Sequence, residues 1–221
     1  MSIATALEAL RRELPAGVTL LAVSKTHPIS ALREAYEAGQ RAFGENKVQE
    51  LVAKAPQLPP DVAWHLIGHL QTNKVRSVLP YVALIHSVDS LKLLEVIERE
   101  SVLLGRTTRV LLQVHIAQEE TKFGFTPAEV VAFVEARGWE RSPHVVIEGL
   151  MGMASNTDDA AQVRGEFRSL KRLFEQIKVL APALGLTTLS MGMSGDYPLA
   201  IAEGSTLVRI GSRIFGARDY A

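Results

Sequence analysis

The 221-residue sequence contains no cysteine, which excludes disulfides, thiolate zinc sites and cysteine nucleophiles. It also lacks an excess of either charge. Twenty-four lysines and arginines stand against 24 aspartates and glutamates, and no basic run exceeds a pair, so no nucleic-acid or anionic-membrane partner is expected. No stretch approaches the roughly 20 apolar residues that a membrane span needs. The N-terminal MSIATALEALRREL has no apolar core of the secretory type; Ile3, Leu7, Leu10 and Leu14 instead mark one face of an amphipathic helix. A soluble cytoplasmic protein is the expectation.

With 47% hydrophobic residues the chain can bury one large core, and residues 1–221 read as a single domain. Apolar runs of strand length fall at 18–24, 41–45, 63–68, 82–88, 109–116, 145–151, 187–192 and 206–211. Amphipathic helical segments separate them. Thr126, Pro127 and Glu129 form a capping box with proline at the first helical position, and Gly138 marks a stop. Ile29, Leu32 and Tyr36 line a helix between Pro28 and Gly39, and Val163, Phe167, Leu170, Phe174 and Ile177 a longer one before Pro182 and Gly185. Strict alternation predicts a parallel sheet with crossover helices. Eight units without a linker predict an α/β fold: a single closed (β/α)8 barrel of the TIM type, with an additional N-terminal helix. The alternative is an open doubly wound sheet, but no GxGxxG follows the first strand.

Function in such a barrel collects at the C-terminal ends of the strands. The first strand ends in LLAVSKTHP (20–28), and alternation puts Leu21, Val23 and Lys25 on one face, toward the interior. Lys25 is then either a lysine that snorkels to solvent, or an amine whose desolvation leaves it neutral and able to attack a carbonyl. Strand seven ends with Ser194, Gly195 and Asp196, and strand eight with Gly211 and Ser212 before a helical turn. Small and hydroxyl residues leading into a helix are suited to a phosphate, although glycines there also serve as simple turns. Closure sets strand eight beside strand one, about 4.8 Å away. Arg209 shares the inward face with Leu207 and Gly211, and a buried guanidinium needs a partner. A carboxylate such as Glu148 or Glu203 would serve, as would a ligand acceptor. Together these residues ask for a phosphorylated aldehyde or ketone, and two classes fit: a Schiff-base aldolase acting on a sugar phosphate, or a holder of pyridoxal 5′-phosphate.

At these residues the sequence resembles the pyridoxal phosphate homeostasis protein family, relatives of the alanine racemase barrel. LLAVSKTHP, GQRAFGENKVQE (39–50), WHLIGHLQTNK (64–74), IHSVDS (85–90), TKFGF (121–125), GLMGMAS (149–155), LSMGMSGDYPLAIAEGST (189–206) and VRIGSRIFGARDY (208–220) occur in that family's order. The resemblance implies that Lys25 forms an aldimine with pyridoxal phosphate and that Ser194, Gly211 and Ser212 hold the phosphate. It implies that Arg209 faces the pyridine nitrogen, and that Asn46 and Met151 line the cofactor, Met151 being equally suited to filling the core. His65 and His69 straddle a strand and its loop without a completing carboxylate, so no metal is expected. Trp64 and Phe43 read as core, His115 as a strand-end residue satisfied locally, and Lys74 as a solvated loop lysine.

A guanidinium only donates hydrogen bonds, so Arg209 leaves the ring nitrogen an acceptor and the ring a weak electron sink. The racemase relatives share that arginine but add a tyrosine from a second, β-rich domain. Here the chain ends about ten residues after strand eight, and neither Tyr197 nor Tyr220 is placed as a second base. The expectation is a non-catalytic, monomeric holder of pyridoxal phosphate supporting vitamin B6 and amino-acid balance, with pyridoxal phosphate-dependent apoenzymes as recipients. The alternatives are a slow racemase-like enzyme on amino acids and, third, the aldolase.

Overall fold

The computed structural model describes residues 2–118 and 123–216. In chain order the elements are α1 (Ile3–Glu13), β1 (Thr19–Val23), α2 (Ile29–Glu37), β2 (Ala42–Glu45), α3 (Val48–Lys54), β3 (Ala63–Leu66), α4 (Val75–Val78), β4 (Val82–Val88), α5 (Leu91–Leu103), β5 (Thr108–Val114), α6 (Pro127–Glu135), β6 (Val145–Gly152), α7 (Ala160–Leu180), β7 (Thr188–Met193), α8 (Tyr197–Ala202), β8 (Leu207–Ile210) and α9 (Ser212–Phe215). The eight strands run parallel in sequence order, and β8 closes on β1. This is the expected (β/α)8 barrel, with α1 as the extra N-terminal helix.

Strands of such a barrel are covered on both faces, so they read as continuous apolar runs. β1 illustrates it. Leu20 and Ala22 join the main core shared with the helices, whereas Leu21 points inward, its Cδ2 3.1 Å from where a Cβ on Gly44 of β2 would stand. Phe43 and Trp64 pack outward as core, their rings 5.9 Å apart. The Thr126–Glu129 capping box opens α6 with Pro127 in its first turn. That helix ends just before Gly138, with Arg137 in the left-handed conformation at φ 50°. In α7, Asp159 caps the amides of Ala161 and Gln162, and Val163, Phe167, Leu170, Phe174 and Ile177 are buried. Among the described residues no helix is long and apolar enough to cross a membrane.

The interior of the barrel is partly polar. Leu84, Leu111 and Met151 form a small apolar cluster separate from the main core. Beside it runs a chain of hydrogen bonds from β3 through β4 to β7: His65 Nδ1 lies 2.9 Å from His86 Nε2, and His86 Nδ1 lies 3.1 Å from Ser190 Oγ. Because β4 and β7 are separated by two strands, the second contact crosses the lumen.

Candidate functional site

The C-terminal strand ends open on a cavity of about 440 Å3. Lys25 lines it from the turn after β1, and Asn46 from the residue after β2. Across from them stand Ser194 and Gly195 after β7, and Gly211 and Ser212 after β8. Arg209 reaches the floor from within β8. Six of the seven site residues expected from sequence therefore share one cavity.

Met151 is the seventh, and the structure places it below the wall, in the cluster with Leu84 and Leu111. The alternation of β6 brings Met153, two residues on, to the cavity instead. Sequence reasoning also passed over Gln113, whose side chain lines the cavity and donates to the Phe123 carbonyl at 2.8 Å. An inward polar residue at the end of a strand was the available signal.

Strand register explains the meeting of the first and last strands. Leu21 pairs with Arg209 and Ala22 with Ile210, which sets Val23 level with Gly211. A Cβ on Gly211 would lie 2.9 Å from the Val23 carbonyl oxygen. The close approach of β1 to β8 thus requires glycine there whatever the cavity holds. The Gly211 amide donates to Ser194 Oγ at 3.3 Å, tying the ends of β7 and β8 together.

Arg209 is only 4% exposed. Its Nη1 donates to the Ser190 carbonyl (2.9 Å) and to Ser190 Oγ (2.7 Å), and its Nη2 to the Gly152 carbonyl (3.0 Å). The carboxylate partners considered from sequence are engaged elsewhere. Glu148 pairs with Arg109, and Glu203 with Arg168 and Arg164. Among the described residues Arg209 makes no ion pair; neutral acceptors hold it. Burial lowers its pKa to about 10, with the charge of Asp196 opposing, so it remains a cation at neutral pH. Burial likewise pushes His65 down to about 4, aided by Arg109, and holds His86 well below the ordinary histidine range, aided by His65 and Arg209. Both imidazoles beneath the cavity are neutral at pH 7.

His65 and His69 turn to different partners: His65 to His86, and His69 to Asp89 at 2.9 Å and the ring of Phe123 at 4.9 Å. Among the described residues no three His, Asp or Glu side chains are grouped to hold a metal. Lys74 lies in an adjoining recess with Lys47 and His69. Tyr197 is buried outside the cavity, its hydroxyl donating to Glu13 of α1 at 2.5 Å, and Tyr220 lies outside the described residues. A larger recess of about 720 Å3 opens between α5 and α6, and among the described residues no lysine lines it.

The arrangement can present an amine to a carbonyl, hydroxyls to an anion and a fixed guanidinium to an acceptor between them. Comparison with known proteins shows the family. The sequence matches the alanine racemase N-terminal domain family over residues 2–219. It is 44% identical over 207 residues to the pyridoxal phosphate homeostasis protein of Haemophilus influenzae, covering 92% of this chain and 86% of that protein. The human pyridoxal phosphate homeostasis protein is 41% identical, covering 95% and 80%. Among solved structures, PipY of Synechococcus elongatus with PLP bound superposes with a TM-score of 0.89 at 44% identity, over 97% of this chain and all of that one. Alanine racemase of Streptomyces lavendulae shares the fold, with a TM-score of 0.78 at 20% identity, over 98% of this chain and 57% of that one. This chain therefore belongs to the pyridoxal phosphate homeostasis protein family.

Proposed function

We propose that this protein binds pyridoxal 5′-phosphate through Lys25 and holds it for cofactor and amino-acid homeostasis without turning over a substrate of its own. The observation that carries the reading is the grouping of Lys25, the Ser194 and Ser212 hydroxyls and Arg209 around one cavity. That donor set fits the cofactor, which bears an aldehyde, a phosphate and a ring nitrogen that can only accept from arginine. When bound, pyridoxal phosphate supplies an aldehyde that condenses with a lysine amine and releases water. Lys25 contributes the amine. Ser194 and Ser212, with the Gly195 and Gly211 backbone, take the phosphate, Arg209 orients the ring, and Asn46 lies beside it. PipY of Synechococcus elongatus, whose structure was solved with PLP bound, supports this reading.

The reading extends to residues 1–221 as one cofactor-binding domain, working as a cytoplasmic monomer that passes the cofactor to pyridoxal phosphate-dependent apoenzymes. There it rests on the family likeness. A second reading, slow racemase-like chemistry on amino acids, is favoured by the shared barrel of alanine racemase. Borohydride reduction of the protein mixed with pyridoxal phosphate, followed by peptide mapping, tests the assignment. The pyridoxyl group is expected on Lys25, and its recovery on Lys47 or Lys74 would overturn it.

A further inference from the structure

We propose that Glu50 and Lys54 of α3 are positioning residues that aim Lys25. They grip both peptide units flanking its Cα while never touching the cavity. This inference rests on the role given to Lys25 above.

The turn after β1 is strained. Thr26, immediately after Lys25, has φ 68°, a conformation that a β-branched residue strongly disfavours. Among the described residues the only other non-glycine with positive φ is Arg137, at the end of a helix. Strain of this kind persists when the surroundings over-determine it, and here the determinants are visible. The Thr26 amide, which belongs to the peptide after Lys25, donates to Glu50 Oε2 at 2.8 Å. The Ser24 carbonyl, which belongs to the peptide before Lys25, accepts from Lys54 Nζ at 3.0 Å. With both planes fixed, the direction of the Lys25 Cα–Cβ bond is fixed as well.

The two anchors are themselves joined. Lys54 Nζ also donates to Glu50 Oε2 (3.1 Å) and to Glu45 Oε1 (2.8 Å), and Glu45 Oε1 accepts from Ser24 Oγ at 2.7 Å. Glu45 is fully buried and the Lys54 side chain 12% exposed. Buried charge clusters add little net stability over apolar packing but enforce geometry. None of these three side chains lines the cavity, so their influence on a ligand must pass through the backbone of Lys25.

Geometry matters at that point because the other end of the ligand is pinned. A phosphate seated at Ser194 and Ser212 leaves a small rigid molecule no freedom to follow a misdirected amine, and displacements near 1 Å are costly to bond formation. Glu50 is only partly buried, so replacing it spares the core.

The test compares pyridoxal phosphate with pyridoxine 5′-phosphate, which carries an alcohol in place of the aldehyde. Glu50→Ala should slow borohydride-trapped attachment at Lys25 by about tenfold while leaving pyridoxine phosphate affinity unchanged. Adding Thr26→Gly should restore attachment, because glycine adopts the required φ freely. Glu50→Gln, which keeps an acceptor for the Thr26 amide, should fall between, and carries the same comparison should Glu50→Ala not fold. Wild-type attachment rates in both Glu50 variants, or an equal loss for both ligands, would overturn the clamp alone. A wild-type protein that takes no cofactor at Lys25 would overturn the cofactor reading and the clamp together.

Discussion

Arg209 and Ser190 are joined twice, through the serine's carbonyl at 2.9 Å and its hydroxyl at 2.7 Å. That hydroxyl also meets His86, so one small side chain connects the cavity floor to the histidine pair beneath it. Ser190→Ala removes a hydroxyl from a fully buried position and takes a partner from both a guanidinium and an imidazole. Losing a buried hydrogen bond to a charged group costs about 1–3 kcal/mol. Urea unfolding of Ser190→Ala should show a loss of that size, with an unchanged slope. A midpoint equal to wild type would show that the contact carries no stability.

The same buried pair gives the protein a pH dependence whose sign is fixed. The folded pKa of His65 is depressed to about 4 and that of His86 is held well below its ordinary value, whereas unfolded histidines titrate near 6.5. The unfolded chain therefore binds more protons between those values, and stability falls as pH drops from about 6.5 toward 4. Each histidine contributes a slope of up to about 1.4 kcal/mol per pH unit within its window. NMR titration of the imidazole resonances should leave both rings neutral at pH 5.5. A midpoint near 6.5 for either would contradict this.

The phosphate site proposed at the ends of β7 and β8 predicts discrimination between vitamers. Pyridoxal presents the same aldehyde and ring to Lys25 and Arg209 but forfeits the charge-assisted hydrogen bonds to Ser194 and Ser212. Its affinity should be lower than that of pyridoxal phosphate by about tenfold or more, and the Ser194→Ala, Ser212→Ala double variant should close most of the gap. Fluorescence or absorbance titration of both vitamers measures it. Equal affinities in the wild type would remove the phosphate from this end of the cavity.

Much of this arrangement was legible in the sequence, for physical reasons. β6 was expected at 145–151 and found at Val145–Gly152, because its run of Val145, Ile147, Leu150 and Met151 is buried in the barrel. Lys25 was conspicuous as a cation ending such a run, and Gly211 and Ser212 as small residues at a strand end. The polar lumen was not legible. His86 and Ser190 come from β4 and β7, which meet only across the closed barrel, and no periodicity within a strand reports a contact of that kind. For the same reason the expected partners of Arg209 are a carboxylate or a ligand acceptor, whereas three neutral acceptors of the protein hold it. The anchors of Lys25 were hidden too, since the positive φ of Thr26 has no signature in a threonine.

The last prediction concerns catalysis on amino acids. Removing and returning an α-proton on opposite faces requires two positioned acid–base groups. Lys25 can serve one face. Among the described residues no tyrosine lines the cavity, and the Tyr197 hydroxyl is committed to Glu13 on the outer side of the barrel. In the proposed binding mode Arg209, protonated and donor-only, would keep the ring nitrogen an acceptor and so weaken the withdrawal of electrons that would acidify the α-proton. Incubated with L-alanine in deuterated water, the cofactor-loaded protein should therefore show α-proton exchange no faster than free pyridoxal phosphate at the same concentration, followed by proton NMR. Rapid exchange in the wild type that disappears in Lys25→Ala would establish Lys25 as a base and make the racemase-like reading the correct one.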